Sequence, residues 1–225
     1  MAFLKGHWQL LLLTALVFAF WQTPVVVPLK ILIVFFHELS HAVATILTGG
    51  EVISLSVSAD QGGVVWSRGG NRFLTLTAGY LGSLLIGVGL LVAATRSKAD
   101  RAIMAGCGAM MLVVAGLYIR DFFALSFAIS IGVAMLLMAR FLDHAANDLA
   151  LRVMGLTSMI YVPYDIFSDT IARSNLRSDA RMLAEEFGGT TMMWGGLWLA
   201  LSLVVIGLCL RRGLGPNSNL AFRSK

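Results

Sequence analysis

The sequence predicts an all-α polytopic membrane protein with six or seven transmembrane helices and a short β-hairpin. Three observations lead to this fold class. Hydrophobic residues make up 58% of the 225 residues and charged residues only 13%, whereas a soluble domain carries about 25% charged residues. The charged residues separate long apolar runs, and about 20 apolar residues are enough to cross a bilayer. One segment of alternating apolar and polar residues lies between two of these runs and predicts the hairpin.

The composition also excludes several classes of protein: a soluble cytosolic enzyme, a disordered chain and a nucleic-acid-binding arm. The net charge of +5 is distributed in short clusters between apolar runs, as expected for loops that face anionic lipid. We therefore expect the lipid bilayer as a partner and no nucleic acid. Cys107 and Cys209 lie within apolar runs without CxxC spacing, which indicates neither a disulfide framework nor a cysteine zinc site.

The charged residues mark the ends of the predicted spans, because an ionisable side chain at mid-bilayer is costly. The whole chain, 1–225, is predicted to form a single integral membrane domain. No Ala-x-Ala cleavage site follows the first apolar run, so we expect that run to be retained as a span. The predicted elements are a first span at about 8–27, a polar helix at about 29–49, the hairpin at about 51–67, spans at about 73–95, 102–119, 122–139 and 189–210, and a helix at about 148–170 that is a seventh span if it crosses.

The polar helix carries the segment His37-Glu38-Leu39-Ser40-His41. Histidines at i and i+4 project from one helical face, where two imidazoles can bind one Zn²⁺. Glu38 lies beside them and can act as a general base. Apolar residues surround the segment on both sides, and ionisable residues within a membrane helix are functional candidates. We therefore predict a metal site in this helix.

The hairpin follows the polar helix directly. Ile53, Leu55 and Val57 alternate with serines, and this period of two predicts a strand with those three apolar side chains on its buried face. The segment 60–63 supplies a turn, and 64–66 supplies the returning strand.

The span at about 73–95 contains small residues at a spacing of four, namely Gly79, Ser83 and Gly87. This spacing places them on one helical face, where a neighbouring helix can approach closely. We interpret this face as a packing surface.

Together these features resemble the site-2 protease family of intramembrane zinc metallopeptidases, in its compact branch without PDZ or CBS domains. The resemblance covers about Phe35 to Leu210 and depends on the HExxH helix, the hairpin, the small-residue span and a later Pro-x-Asp element. It implies a multi-pass protein of the cell membrane that cleaves transmembrane or membrane-tethered protein substrates. It also implies that His37, His41 and one aspartate bind Zn²⁺ and that Glu38 is the catalytic base.

The resemblance assigns the third zinc ligand to Asp165, because Pro163-Tyr164-Asp165 matches the Pro-x-Asp core of the family's second motif. Ile166 stands where the family has Gly, and the Asn-Pro that usually precedes this motif is absent. Asp165 is favoured because it ends the apolar stretch 159–164, whereas Asp169 and Asp179 are expected in a solvated surface segment. The alternatives are Asp143, Asp148 and Asp169.

Two other functions compete with proteolysis. A membrane transporter or channel could use polar residues at mid-membrane to bind a passing metal ion or proton, although such a site gains nothing from the HExxH order. A catalytically inactive relative could bind membrane helices, although His37, Glu38 and His41 are all present. The sequence leaves open the substrate, the oligomeric state and the side of the membrane that the hairpin faces.

Overall fold

The computed structural model describes residues 2–173 and 177–220, which form eight α-helices and one antiparallel pair of strands. Two π-helical turns extend helices, at Ser168–Ala172 after α6 and at Cys209–Gly213 after α8. The elements in chain order are α1 (Ala2–Ala19), α2 (Val27–Leu47), β1 (Glu51–Val57), β2 (Gly63–Arg68), α3 (Arg72–Arg96), α4 (Asp100–Tyr118), α5 (Phe122–Phe141), α6 (His144–Phe167), α7 (Asp179–Phe187) and α8 (Thr191–Leu208).

Five helices in the described part of the chain are long and apolar enough to cross a membrane, and with the hairpin they confirm the predicted fold class. They are α2, α3, α4, α5 and the helix that runs from Thr191 to Gly213. The apolar part of α1, Leu4–Ala19, is shorter. Helix α6, at the position of the possible seventh span, is a helix of 24 residues that buries polar side chains such as Asn147 and Arg152.

The helices that flank the HExxH segment begin where the sequence provides a cap. Pro28 lies in the first turn of α2, where its missing N–H costs no hydrogen bond. Asn71 caps α3, because its side-chain oxygen accepts from the backbone N–H of Leu74 at 3.0 Å. Ser178 caps α7 in the same way through the N–H of Arg181. These caps fix where the residues around the site enter their helices.

The small-residue face of α3 packs closely against α6, as predicted. The Ser158 hydroxyl donates to the carbonyl oxygen of Ser83 at 2.8 Å. A Cβ atom added to Gly155 would lie 2.7 Å from the carbonyl oxygen of Gly87, so these two backbones touch without side chains between them. The contact holds α3 against α6, and Gly79 at the other end of the same face lies against α2.

The hairpin forms where it was predicted, but the prediction for Ile53 is wrong. Strands β1 and β2 pair antiparallel, with Leu55 opposite Val65, and the register shifts between Val52 and Ser54. Ile53 is 53% exposed, whereas Leu55 is 1% exposed and Val52 is also buried. The bulge places one extra residue in β1, which reverses the alternation of buried and exposed side chains at this point. Val52 is therefore buried, and Ile53 is exposed.

Candidate metal centre

His37 and His41 lie on one face of α2, and both imidazoles point toward α3. Their ring centroids are 4.7 Å apart, as expected for side chains one helical turn apart. Gly79 makes room for them, because a Cβ atom there would lie 2.6 Å from Cε1 of each ring. The small-residue face of α3 therefore supports the histidines as well as the packing against α6.

The carboxylate of Asp179, the first residue of α7, completes this group. Its Oδ2 atom lies 3.0 Å from Nε2 of His37 and 3.1 Å from Nε2 of His41. One potential ligand atom from each of the three residues lies within 4.8 Å of the others. Asp179 is 8% exposed, and the next residues on its helix face, Ala180 and Leu183, are fully buried. The expectation that Asp179 is solvated is therefore wrong, because α7 docks against the bundle through its apolar face.

The donor set and its spacing fit a catalytic zinc site. Two nitrogens and one carboxylate oxygen are a common set of protein ligands for such a site, which keeps a fourth position open. Ligand atoms about 2.0 Å from a tetrahedral zinc lie about 3.3 Å from one another, close to the two distances between Asp179 and the histidines. The Nδ1 atom of His41 lies 2.7 Å from the carbonyl oxygen of Thr75. If Nδ1 carries the proton and donates it there, the lone pair of Nε2 is free for a metal.

The ionisation of Asp179 also suits a ligand. Without a metal, burial raises the pKa of this carboxyl, but the protonated imidazoles of His41 and His37 oppose that effect and hold the pKa below its usual range.

Glu38 faces a cavity of about 830 Å³ that also contains the three candidate ligands. The residue is 6% exposed, and its side chain packs against Gly63 at the start of β2. A Cβ atom on Gly63 would lie 2.6 Å from Cγ of Glu38. The rest of the cavity wall includes β2 from Gly63 to Ser67, Tyr80, Asp165, Asp169 and Arg173.

Asp165 lines the same cavity but does not belong to the group around the histidines. It lies at the end of α6, where Oδ1 is 3.7 Å from Nη2 of Arg173. Its assignment as a ligand stays a prediction, with which Asp179 now competes.

The three alternative aspartates have other contacts. Asp143 caps α6 through the N–H of Ala146, and Asp148 accepts hydrogen bonds from Arg152. Asp169 accepts hydrogen bonds from Tyr80 and Arg173. None of the three belongs to the group that contains His37, His41 and Asp179 in the described part of the chain.

The sequence contains a weak signal for α7 that points toward Asp179. Ser178 is a typical helix cap, and Ala180, Leu183 and Phe187 follow at the spacing of one helical face. This pattern predicts a short helix that packs against the protein, which would shield the adjacent Asp179 from solvent. It does not indicate which residues the helix contacts.

Comparison with known families identifies the family of this chain. The sequence model of the Peptidase M50B-like family matches residues 10–209, a range that includes α2, the hairpin and α7. Comparisons with curated proteins and with solved structures found no match. Because the family match covers most of the chain, this protein belongs to the Peptidase M50B-like family, which is part of the site-2 proteases.

Proposed function

We propose that this protein is an intramembrane zinc metalloprotease that hydrolyses peptide bonds of transmembrane or membrane-tethered substrates. The observation that carries the proposal is the convergence of the largely buried His37, His41 and Asp179 beside Glu38 in one cavity. Membership of a metallopeptidase family supports the reaction class. The five apolar helices support a location in the cell membrane as a multi-pass protein.

His37, His41 and Asp179 would hold the zinc, and Glu38 would move the proton. Zinc in such a site polarises the scissile carbonyl group and lowers the pKa of water toward about 7. Glu38 accepts the proton of the attacking water and later delivers it to the leaving amine. Its side chain packs against Gly63, and this contact would hold the carboxylate beside the three ligands.

The cavity provides space for an extended peptide. Strand β2, the end of α6 and the start of α7 all line this cavity. A substrate helix would unwind locally so that one of its peptide bonds reaches the three ligands.

Replacing Glu38 by Gln tests the proposed reaction. The variant keeps the shape of the side chain but cannot accept a proton, so cleavage should slow by roughly 10² to 10⁴-fold while zinc content stays at the parental level. We would measure both quantities on purified protein in liposomes, with a membrane-tethered reporter as the substrate.

Glu185→Gln is the matched control, because Glu185 is an exposed carboxylate on α7 that pairs with Arg181. This variant should cleave at the parental rate. Equal cleavage by the Glu38→Gln variant and the parent would show that Glu38 is not the base. Zinc binding by the parent without cleavage of any tethered reporter would favour the inactive helix-binding relative.

A further inference from the structure

We infer that Tyr80 and Asp169 form a positioning pair that fixes the orientation of His37, a role that rests on the metal site proposed above. Neither residue belongs to the group of candidate ligands. Both line the cavity, and a direct contact links each to the next in the order Asp169, Tyr80 and His37.

The two histidines are held in different ways. Thr75 orients His41, because its carbonyl oxygen accepts a hydrogen bond from Nδ1 of that ring. His37 instead packs edge-on against the ring of Tyr80, with centroids 4.8 Å apart and an angle of 83° between the ring planes. A ligand that is not held in orientation binds metal more weakly, so the ring of Tyr80 takes the orienting role for His37 that Thr75 has for His41.

The Tyr80 side chain is held both through its ring and through its hydroxyl group. The residue is 1% exposed, and its ring packs against Trp198 with centroids 5.2 Å apart. Its hydroxyl donates to Oδ2 of Asp169 at 2.5 Å, a length typical of a strong hydrogen bond to a charged acceptor. The Oδ1 atom of the same carboxylate accepts from Arg173 at 2.9 Å, which keeps the carboxylate pointed at Tyr80.

The backbone around Asp169 differs from a regular helix in a way that suits this role. Asp169 lies in the π-helical turn Ser168–Ala172, in which the N–H of Arg173 donates to the carbonyl oxygen of Ser168 at 2.7 Å. Asp169 and Asp165 on α6 both lie near Nη2 of Arg173. Such turns are rare and frequently occur at functional sites.

Zinc affinity, measured by competition with a chelator on purified protein in detergent, tests the pair. Tyr80→Phe keeps the ring but loses the hydroxyl, and should weaken zinc binding by about tenfold, at the low end of the range for residues that orient ligands. Asp169→Ala should weaken it similarly. Asp169→Asn keeps an oxygen that can accept from the Tyr80 hydroxyl, so its zinc affinity should lie closer to that of the parent than to that of Asp169→Ala.

The double variant Tyr80→Phe with Asp169→Ala should bind zinc no more weakly than either single variant, because both substitutions break one interaction. The visible spectrum of the Co²⁺-loaded protein reports the geometry of the metal ligands. Both single variants should therefore show the same change in this spectrum. Tyr161→Phe is the matched control. Tyr161 is a buried tyrosine of α6 that packs against Trp21, and its variant should retain the parental affinity.

Parental zinc affinity in the Tyr80→Phe variant, or losses that add in the double variant, would overturn the inference. The His37→Ala variant separates this failure from failure of the proposed function. If His37→Ala loses zinc while Tyr80→Phe keeps it, the metal site stands and only the positioning pair is refuted. If His37→Ala retains zinc like the parent, the site itself is refuted and the pair with it.

Discussion

The two halves of the candidate metal centre are built very differently. His37 and His41 lie one turn apart on α2, a helix of 21 residues with a largely buried sequence, and Gly79 brings α3 against both rings. Asp179 begins α7, a helix of only nine residues. The histidines cannot separate unless α2 unfolds, whereas the aspartate leaves the site whenever α7 undocks. The stability of α7 docking should therefore set how tightly the metal is held.

The largest effect is expected in the half formed by α2 and α3. A Cβ atom at Gly79 would overlap both imidazoles, and buried helices at such a close approach have little room to move. Gly79→Ala should therefore reduce the zinc content of the purified protein to background, as measured by elemental analysis.

Gly89→Ala is the matched control for Gly79→Ala. It makes the same substitution in the same helix at a position where a Cβ atom would meet nothing within 4 Å. This variant should contain as much zinc as the parent. Full zinc content in the Gly79→Ala variant would show that α3 can shift and that the first half is less rigid than its packing indicates.

A smaller effect is expected in the half formed by Asp179 and α7. Leu183 is fully buried one turn after Asp179, and truncating a buried leucine costs about 2 to 5 kcal/mol. Part of that cost falls on α7 docking, so Leu183→Ala should weaken zinc binding by about ten- to hundredfold. Chelator competition measures this change, and faster proteolysis within α7 should accompany it.

The smallest effect is expected from Glu186→Gln, the control for Leu183→Ala on the same helix. It removes the pair between Glu186 and Arg72, whose atoms lie 3.1 Å apart on side chains that are partly exposed. Exposed pairs contribute at most about 1 kcal/mol, so zinc affinity should change by less than about fivefold. Equal losses in the two variants would mean that α7 docks through its charged face and not through Leu183.

The same contrast explains which parts could be predicted from the sequence. The period of α2 places His37 and His41 on one face whatever surrounds them, and the apolar runs identify the spans by length alone. The alternation in β1 identifies a strand, but a bulge depends on pairing with β2, so the exposure of Ile53 could not be predicted. Properties that arise within one element were predictable, and properties that depend on contacts between elements were not.

The third ligand position depends on such contacts. Asp165 was favoured because it follows an apolar stretch, and the structure does place it in the cavity. The docking of α7 brings Asp179 to the histidines instead. The sequence of α7 predicts a short helix that packs against the protein, but it does not indicate that Asp179 meets the histidines, because that contact depends on where α7 docks.

Zinc content of the parent, Asp179→Ala and Asp165→Ala proteins, measured in parallel, tests the central claim most directly. Each variant removes one carboxylate that lines the same cavity, so the two control for each other. The account predicts close to one zinc per chain in the parent and in Asp165→Ala, and little zinc in Asp179→Ala, with all three extracted as folded protein. Zinc retained by Asp179→Ala and lost from Asp165→Ala would contradict it and return the third ligand position to Asp165.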